Sequence, residues 1–442
     1  MKVRSLISLL VLFGLLLNAG GALAQLGGGQ QLGDKTLKFD KEKFIAKVKE
    51  TQLGAGILDG YAAVIINKDG NIVAEAAGGM AIRGDGKGYK DALMTTSTPN
   101  DIGSDFKMLS FITLLSHFEK RAAKNPANTV EKQLNESILP YLPKAWRAWV
   151  VAPPDKDSAA AQATARIAKT TFAQLMSHKS GFRPLSLPKG TPTSPFNYID
   201  VGIQQANIGV RSYSNFNASV LTYLWPRLMD PARADQIEAQ IAGGKVANNN
   251  HEVYGKLYGD FFENWMQKNV FDVIQPGIRP SCDPAVDFPK RNPSVTFARY
   301  YETPLGAVNP QYWSEKDKNY GCHAQGGYYL SMRQLAAFMA NYQASSVLVS
   351  DKVRKMMYDD STGTTQDARL GWSNTMASAF ATKNFGVNRI PWHGGDAFGH
   401  TAIVQLPGGF IAVGTINGVG SGGTIAQGLK DAWGVAVQSN FE

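Results

Sequence analysis

A serine and a lysine three positions apart, Ser104 and Lys107, open a segment with a helical pattern. Positions i and i+3 share one face of a helix, so the hydroxyl and the amine would point into the same space. A serine is a poor nucleophile at neutral pH unless a nearby base takes its proton, and a lysine that is partly desolvated at a helix N-terminus can be that base. A surface serine and lysine on one exposed helix would give the same pattern, so other residues must decide.

A tyrosine and an asparagine two positions apart follow in the segment from Arg211 to Phe216. The phenol of Tyr213 can share a proton with Lys107 and pass it to a leaving group. Asn215 can hold Lys107 and a substrate carbonyl. A loop tyrosine beside an Asx turn has the same sequence, so this pattern is also open when it is taken alone.

A glycine-rich stretch, Trp392-His-Gly-Gly-Asp396, precedes the last β-rich segment. Glycines beside a strand allow a ligand to approach the backbone closely, which makes Gly395 a candidate substrate-binding position. A strand edge at this point can offer an N–H to a developing oxyanion, with the N–H of Ser104 as the other donor. His393 can orient the substrate or tune the charge of the cleft. The alternative is a glycine-rich turn that carries a partly exposed histidine.

One further histidine, His178, lies where a predicted helix gives way to a tight turn that contains Ser180 and Gly181. We interpret it as a hydrogen-bonded structural histidine and not as a catalytic base.

The elements that must position these residues follow an order in which β-rich ends enclose a mostly helical middle. A hairpin around Asp69-Gly70 and a second one around Pro407-Gly-Gly409 are predicted from alternating apolar runs and turn residues. Helical periodicity covers Phe39–Leu53 and Ile425–Gln438. The middle has polar loops, such as Asp155–Thr164. Strands at both chain ends predict one sheet built from both, an α+β architecture and not a doubly wound parallel sheet.

The N-terminus has the pattern of a secretory signal: Lys2 and Arg4, an apolar run over Leu6–Leu17, and a small-residue cleavage site ending at Ala24. The apolar run is shorter than the roughly 20 residues that span a bilayer. We therefore expect a protein that is cut after Ala24 and is periplasmic or secreted, with no membrane span.

The chain has two cysteines, Cys282 and Cys322, which in an oxidising compartment are interpreted as one disulfide, with two separate buried thiols as the alternative. Six scattered histidines show no metal-ligand spacing. The formal charge of +9 is spread along the chain without a basic tract, so we expect no nucleic-acid partner.

The order Ser-x-x-Lys, Tyr-Ser-Asn and His-x-Gly resembles that of the serine β-lactamase-related family. This family includes class C β-lactamases, D-alanyl-D-alanine carboxypeptidases, and related esterases and aminopeptidases. The resemblance runs from about Gly60 to Asn417, and three accessory segments are also similar to family motifs: Leu134–Pro143, Thr171–Phe182 and Ala324–Leu335.

The resemblance implies an acyl-enzyme mechanism. Ser104 would be the nucleophile, and Lys107 and Tyr213 would be the coupled base and acid. The substrate-binding residues it implies are Asn215, His393, Gly395 and Asp396, and the N–H groups of Ser104 and Asp396 would form an oxyanion hole. No cofactor or metal is implied.

The implied fold is β-lactamase/transpeptidase-like, with an antiparallel sheet flanked by helices and an inserted helical lobe. The predicted organisation is a signal peptide over residues 1–24, a flexible leader over 25–37 and one catalytic domain over 38–442. Within that domain we expect an α/β lobe over 38–103 and 323–442 and a helical lobe over 104–322.

Two departures from the family pattern bear on the substrate. His393 stands where the β-lactamases usually carry lysine, and Asp105 and Asp396 add negative charge if they face the cleft; otherwise they would point away and pair with arginines. Negative charge disfavours anionic substrates. We therefore expect an exported serine hydrolase acting on small esters, amides or peptides, including cell-wall peptides. The alternatives are a D-Ala-D-Ala carboxypeptidase or class C-like β-lactamase, and an inactive relative that binds peptidoglycan or a partner protein.

Overall fold

The computed structural model describes residues 37–53, 60–84, 90–153, 158–185, 194–275, 277–291, 296–301, 323–358, 370–397 and 399–438. The strands are β1 (Tyr61–Ile66), β2 (Ile72–Gly78), β3 (Met80–Ile82), β4 (Ala92–Leu93), β5 (Asn100–Asp101), β6 (Tyr329–Leu330), β7 (Ser373–Met376), β8 (Arg389–Asp396), β9 (His400–Leu406) and β10 (Phe410–Ile416). The helices are α1 (Lys41–Leu53), α2 (Phe106–Lys124), α3 (Val130–Leu134), α4 (Lys144–Val151), α5 (Ala159–Ala165), α6 (Phe172–Met176), α7 (Pro195–Val201), α8 (Phe216–Met229), α9 (Pro231–Gly243), α10 (His251–Met266), α11 (Asp272–Ile274), α12 (Pro284–Arg291), α13 (Met332–Ala344), α14 (Asp351–Tyr358), α15 (Ala379–Phe385) and α16 (Gly422–Gln438).

The main sheet joins the two ends of the chain. Six strands lie in the order β2-β1-β10-β9-β8-β7, and every neighbouring pair is antiparallel. Both predicted hairpins are present, β1–β2 and β9–β10. Strand β10 lies between β1 and β9, with Tyr61 opposite Ile416. The α+β architecture and the sheet built from both chain ends are confirmed.

Strand β1 is buried on both of its faces, and its residues alternate between two cores. Ala62, Val64 and Ile66 face the larger core, which the helical middle of the chain fills. Tyr61, Ala63 and Ile65 face the smaller core, which lies under α1 and α16. Because side chains alternate across a strand, a continuous apolar run can serve a sheet covered by helices on both faces.

Asn417, directly after β10, connects the two chain ends by hydrogen bonds. Its Oδ1 accepts the N–H of Gly60 at 2.6 Å, and its Nδ2 donates to the carbonyl oxygens of Met80 and Ala81 at 2.9 and 3.1 Å. The residue is fully buried, so these bonds satisfy polar groups that water cannot reach.

One expectation about the middle of the chain is wrong. Part of the predicted polar loop Asp155–Thr164 belongs to helix α5. The Ser158 side chain caps this helix by accepting the Ala161 N–H at 3.0 Å, so the helix begins within the stretch whose polar composition indicated a loop.

The predicted signal peptide and residues 25–36 of the leader lie outside the described residues. None of the helices in the described part of the chain is long and apolar enough to span a lipid bilayer. The lobe boundaries stay a prediction.

Candidate active site

Ser104 lies in a single 3₁₀ turn, Gly103–Asp105, that leads directly into α2. Helix α2 is apolar around most of its circumference, and so it is buried as the central helix of the larger core. Gly103 has φ of +49°, a left-handed conformation that suits glycine, and its N–H donates to the Asp101 carboxylate at 2.8 Å. The sequence therefore places Ser104 at the N-terminal end of a buried helix.

Three predicted residues meet at the Ser104 hydroxyl. Lys107 Nζ donates to Ser104 Oγ at 2.7 Å, and Tyr213 Oη donates to the same oxygen at 2.7 Å. Lys107 Nζ also donates to the carbonyl oxygen of Gln325 at 3.1 Å, a partner that the sequence did not indicate. The side chain of Lys107, three positions after the serine, and that of Tyr213, more than a hundred positions later, thus contact the same oxygen atom.

Lys107 is completely buried, although it is a lysine. Burial lowers the pKa of its amine from 10.5 to about 7, an effect that the nearby Asp105 partly opposes. Near neutral pH a substantial fraction of this amine therefore carries a lone pair and can accept the serine proton.

Tyr213 is held by a turn at His178. The Ser212 N–H donates to the His178 carbonyl oxygen at 2.9 Å, and the Ser214 N–H donates to His178 Nδ1 at 3.3 Å. The imidazole also lies against the phenol ring, with centroids 4.6 Å apart. His178 itself has φ of +55°, which is uncommon for a residue with a side chain. This turn therefore sets the direction of the Tyr213 side chain.

The phenol of Tyr213 is a proton donor at neutral pH. Burial raises its pKa to about 12, although the hydrogen bond to Ser104 lowers it. Its ring lies 5.1 Å from Lys107 Nζ, so the two groups can exchange a proton through Ser104. At neutral pH the pKa of Lys107 allows this amine to act as the base, and the pKa of Tyr213 keeps the phenol protonated so that it can act as the acid.

Asn215 and Asn217 occupy opposite environments at the start of α8. Asn215 is the N-cap residue, its side chain is exposed, and in the described residues it makes no hydrogen bond to Lys107. Asn217 is fully buried; its Nδ2 lies 3.0 Å from His178 Nδ1, and its Oδ1 accepts the Ser180 hydroxyl at 2.5 Å. The sequence analysis missed Asn217, because only the fold joins it to a turn 37 to 39 positions earlier.

Strand β8 offers a backbone edge beside Ser104. Its pairing with β7 ends at Trp392, so the stretch from His393 to Asp396 continues beyond that partner. A Cβ on Gly103 would lie 3.1 Å from the backbone nitrogen of Asp396, and a Cβ on Gly395 would overlap the Ile102 carbonyl oxygen. Two glycines thus let the strand approach the Ser104 turn closely, which brings the Asp396 nitrogen next to the residue before the serine.

Asp105 and His393 form a buried pair behind the nucleophile. Asp105 Oδ1 lies 3.2 Å from His393 Nδ1, and both side chains are almost completely buried. Burial raises the pKa of the Asp105 carboxyl well above its ordinary value and lowers the pKa of His393 to about 3, with Lys107 adding to the second shift. Both effects favour neutral forms, so this pair adds little charge to the cleft. Both alternatives considered for Asp105 are therefore wrong: the buried side chain does not add a charge to the cleft, and its partner is a histidine and not an arginine.

Asp396 is different, because its side chain is 58% exposed. Its Oδ1 lies 2.7 Å from His400 Nδ1 and accepts the Gly422 N–H at 2.7 Å. The hydrogen bond to His400 lowers the pKa of this carboxyl, so it is ionised at neutral pH. Here too the partner is not an arginine.

Arg211 is a charged neighbour to which the sequence analysis assigned no role. It is half-buried, donates to the Ser373 hydroxyl of β7 at 3.0 Å, and its positive charge lowers the pKa of His178, Tyr213 and His393.

The cysteines lie away from these residues in the sequence. Cys282 is disulfide-bonded. Cys322 lies outside the described residues, so its pairing with Cys282 stays a prediction. Among the described residues, no group of three or more histidine, cysteine, aspartate or glutamate side chains is arranged to hold a metal ion.

Comparison with known proteins gives a family match and a fold. The family model described as Beta-lactamase matches residues 55–243, a range that contains Ser104, Lys107, Tyr213 and Asn215. No curated protein matches the chain significantly in sequence.

Three similar solved structures cover most of the chain. A penicillin-binding protein homologue from Pyrococcus abyssi has 15% identity and a TM-score of 0.57, over 87% of this chain and 75% of its own. The D-amino acid amidase from Ochrobactrum anthropi SV3 has 15% identity and a TM-score of 0.55, over 90% and 98%. A class C β-lactamase from Rhodobacter sphaeroides has 15% identity and a TM-score of 0.55, over 90% and 100%. The predicted β-lactamase/transpeptidase-like fold is confirmed, and so is the resemblance to the serine β-lactamase-related family.

Proposed function

We propose that this chain, which has the fold of the serine β-lactamase-related family, is an exported serine hydrolase that forms an acyl-enzyme on Ser104. Its substrates are small esters, amides or peptides. The observation that carries this proposal is the convergence of Lys107 Nζ and Tyr213 Oη on Ser104 Oγ, each at 2.7 Å. A serine hydroxyl held between a neutral amine and a protonated phenol is the arrangement that acyl transfer needs.

The proposed reaction uses these groups in a fixed order. Lys107 takes the Ser104 proton while Oγ attacks the substrate carbonyl, and the N–H groups of Ser104 and Asp396 stabilise the oxyanion. Tyr213 gives a proton to the leaving group and regains one from Lys107, since both side chains contact Ser104 Oγ. Water then attacks the acyl-enzyme while Lys107 accepts its proton, and Lys107 passes that proton to Ser104 Oγ as the bond between the acyl carbon and Oγ breaks. Asn215, exposed beside Tyr213, is free to contact the substrate and is assigned that role.

The pH dependence follows from the two pKa values. Acylation should accelerate as pH rises through about 7, because Lys107 loses its proton there. Tyr213 keeps its proton up to about pH 12, so no decline from this group is expected in the ordinary range. A rate that falls as pH rises from 6 to 8 would contradict the assignment of Lys107 as the base.

Carboxypeptidase and β-lactamase activity remain within the same chemistry, but the exposed Asp396 carboxylate favours other substrates, since those activities act on anionic compounds. The observation that Lys107 is buried at a pKa of about 7 beside the serine argues against an inactive binding protein, because a scaffold without activity gains nothing from a desolvated amine.

The test is the intact mass of the protein after exposure to a fluorophosphonate, with Ser104→Ala as the matched control. We expect one adduct on the wild type and none on the variant, whose fold should be unchanged because only a hydroxyl is removed. Absence of an adduct on folded wild-type protein would refute the proposal. A subsequent comparison of a chromogenic ester with a cephalosporin would separate the proposed activity from that of a β-lactamase.

A further inference from the structure

Asp396 places an ionised carboxylate beside the proposed oxyanion hole. Its Oδ1 is fixed by His400 Nδ1 and by the Gly422 N–H, both at 2.7 Å. In the described part of the chain both of these hydrogen bonds fall on Oδ1, so Oδ2 has no hydrogen bond there, and the side chain is 58% exposed. The carboxylate is therefore held in one orientation while it stays open to a ligand.

The Asp396 carboxylate is carried by a residue whose backbone borders the Ser104 turn. The backbone nitrogen of Asp396 lies next to Gly103, the residue before the nucleophile. The negative charge of Asp396 also raises the pKa of Asp105 and of Tyr213, which shows that it acts on groups around Ser104. A substrate whose carbonyl oxygen accepts the Asp396 N–H would bring its nearest substituents to the carboxylate of the same residue.

The other charged side chains near Ser104 are less exposed than Asp396. Lys107 and Arg211 are positive, but the first is completely buried and the second is half-buried, with a hydrogen bond to the Ser373 hydroxyl. Asp105 is fully buried against His393. Asp396 is therefore the most exposed of these four charged side chains.

We propose that Asp396 selects substrates that carry an ammonium group close to the scissile carbonyl. This inference rests on the proposed function, because it names the substrate class of the same site. An ammonium at this position would form a charge-assisted hydrogen bond with Oδ2. A carboxylate at the same position would face an ionised carboxyl group and be repelled.

The experiment compares two pairs of substrates, one for each side of the scissile bond. Alanine p-nitroanilide and its N-acetyl derivative differ by a positive charge on the acyl side. Phenylacetylcholine and 3,3-dimethylbutyl phenylacetate differ by a positive charge on the leaving group at nearly constant shape. We expect kcat/KM to favour alanine p-nitroanilide over its N-acetyl derivative by about 10-fold or more, the range of a hydrogen bond to a charged group. If the ammonium position lies on the leaving-group side, phenylacetylcholine should be favoured by less, because its quaternary ammonium has no N–H and gains only the attraction between opposite charges.

The matched variant is Asp396→Asn, which keeps an acceptor oxygen for Gly422 and leaves the backbone N–H in place. The preference, which is the ratio of kcat/KM between the two members of a pair, should fall to within about 2-fold of unity in this variant; because both members are measured on the same variant, a general loss of rate cancels from the ratio. In the wild type the preference should also weaken as salt is raised, a measurement that needs no variant.

The outcomes separate the two proposals. Hydrolysis of the neutral substrates without a cationic preference in either pair, or a preference that Asp396→Asn leaves unchanged, would overturn the role of Asp396 and leave the serine hydrolase intact. Absence of both hydrolysis and labelling on folded protein would overturn both.

Discussion

Replacing Lys107 by methionine should remove the activity and, at the same time, the dependence of stability on the protonation of a buried amine. Methionine has a similar length and is apolar, so it can fill the space that the lysine leaves in the core. The lysine is completely buried, with its pKa lowered from 10.5 to about 7. The folded protein therefore binds the Lys107 proton more weakly than the unfolded chain does.

The sign and size of the effect follow from these two values. Between pH 7 and 10.5 the unfolded chain holds more of this proton, so the contribution of Lys107 to stability rises with pH. Below pH 7 the full destabilisation is present, and above 10.5 it vanishes. From pH 6 to pH 9.5 the free energy of unfolding of the wild type should rise relative to Lys107→Met by about 3 kcal/mol.

The assay is urea unfolding of both proteins at several pH values in this range. The variant also loses the hydrogen bonds to Ser104 Oγ and the Gln325 carbonyl oxygen, but that loss shifts its stability by a similar amount at every pH. The test is therefore how the difference in free energy of unfolding between the two proteins changes with pH, and not how large that difference is at one pH. Two stability curves that run parallel from pH 6 to 9.5 would refute the claim that Lys107 is a desolvated amine of low pKa.

Three other changes have expected outcomes. Tyr213→Phe should slow amide hydrolysis by about 100-fold, the usual contribution of an acid catalyst, and should slow fluorophosphonate labelling less, because fluoride leaves without a proton; equal losses would remove the phenol from leaving-group protonation. Gly395→Ala should lower the free energy of unfolding by about 2 kcal/mol or more through overlap with a backbone oxygen, whereas Gly434→Ala, an open position in α16, should raise it by up to about 1 kcal/mol in the same urea unfolding assay. Asn217→Ala should destabilise by about 1–3 kcal/mol because it leaves buried partners unpaired, and Asn215→Ala should instead leave stability unchanged and reduce turnover; reversed effects would exchange their roles.

The parts of the fold that could be predicted are those with local signals. The hairpin at Asp69-Gly70 is encoded by turn residues between alternating apolar runs, and β1 and β2 formed there. Helix α16 was predicted from Ile425 onward, but it begins at Gly422, because helical periodicity does not mark the glycines of its first turn. The convergence of Ser104 and Lys107 was predicted for a similar reason, since i,i+3 geometry is local.

The parts that could not be predicted depend on pairs that only the folded chain brings together. Tyr-x-Asn directed attention to Asn215, yet the buried asparagine that supports His178 is Asn217. Asp105 was expected to face the cleft or an arginine, but its partner is His393, which lies 288 positions later. No spacing in the sequence carries such information, because burial and partner are decided by which strand lies beside which helix.

The sheet that joins both ends of the chain also determines the order in which its strands can pair during folding. Strands β1 and β2 are synthesised early, but the second edge of β1 is paired only after β10 has been made. The Gly60 N–H likewise has its hydrogen-bond partner only once Asn417, 357 positions later, has been made. Closing a loop of that length costs roughly 5 kcal/mol of chain entropy, and this cost opposes the pairing of β1 with β10. Until then β1, an apolar strand with an unpaired edge, is exposed to other nascent chains. A chain that lacks its last few dozen residues should therefore aggregate and not merely lose activity, because it lacks the strand that protects its first one.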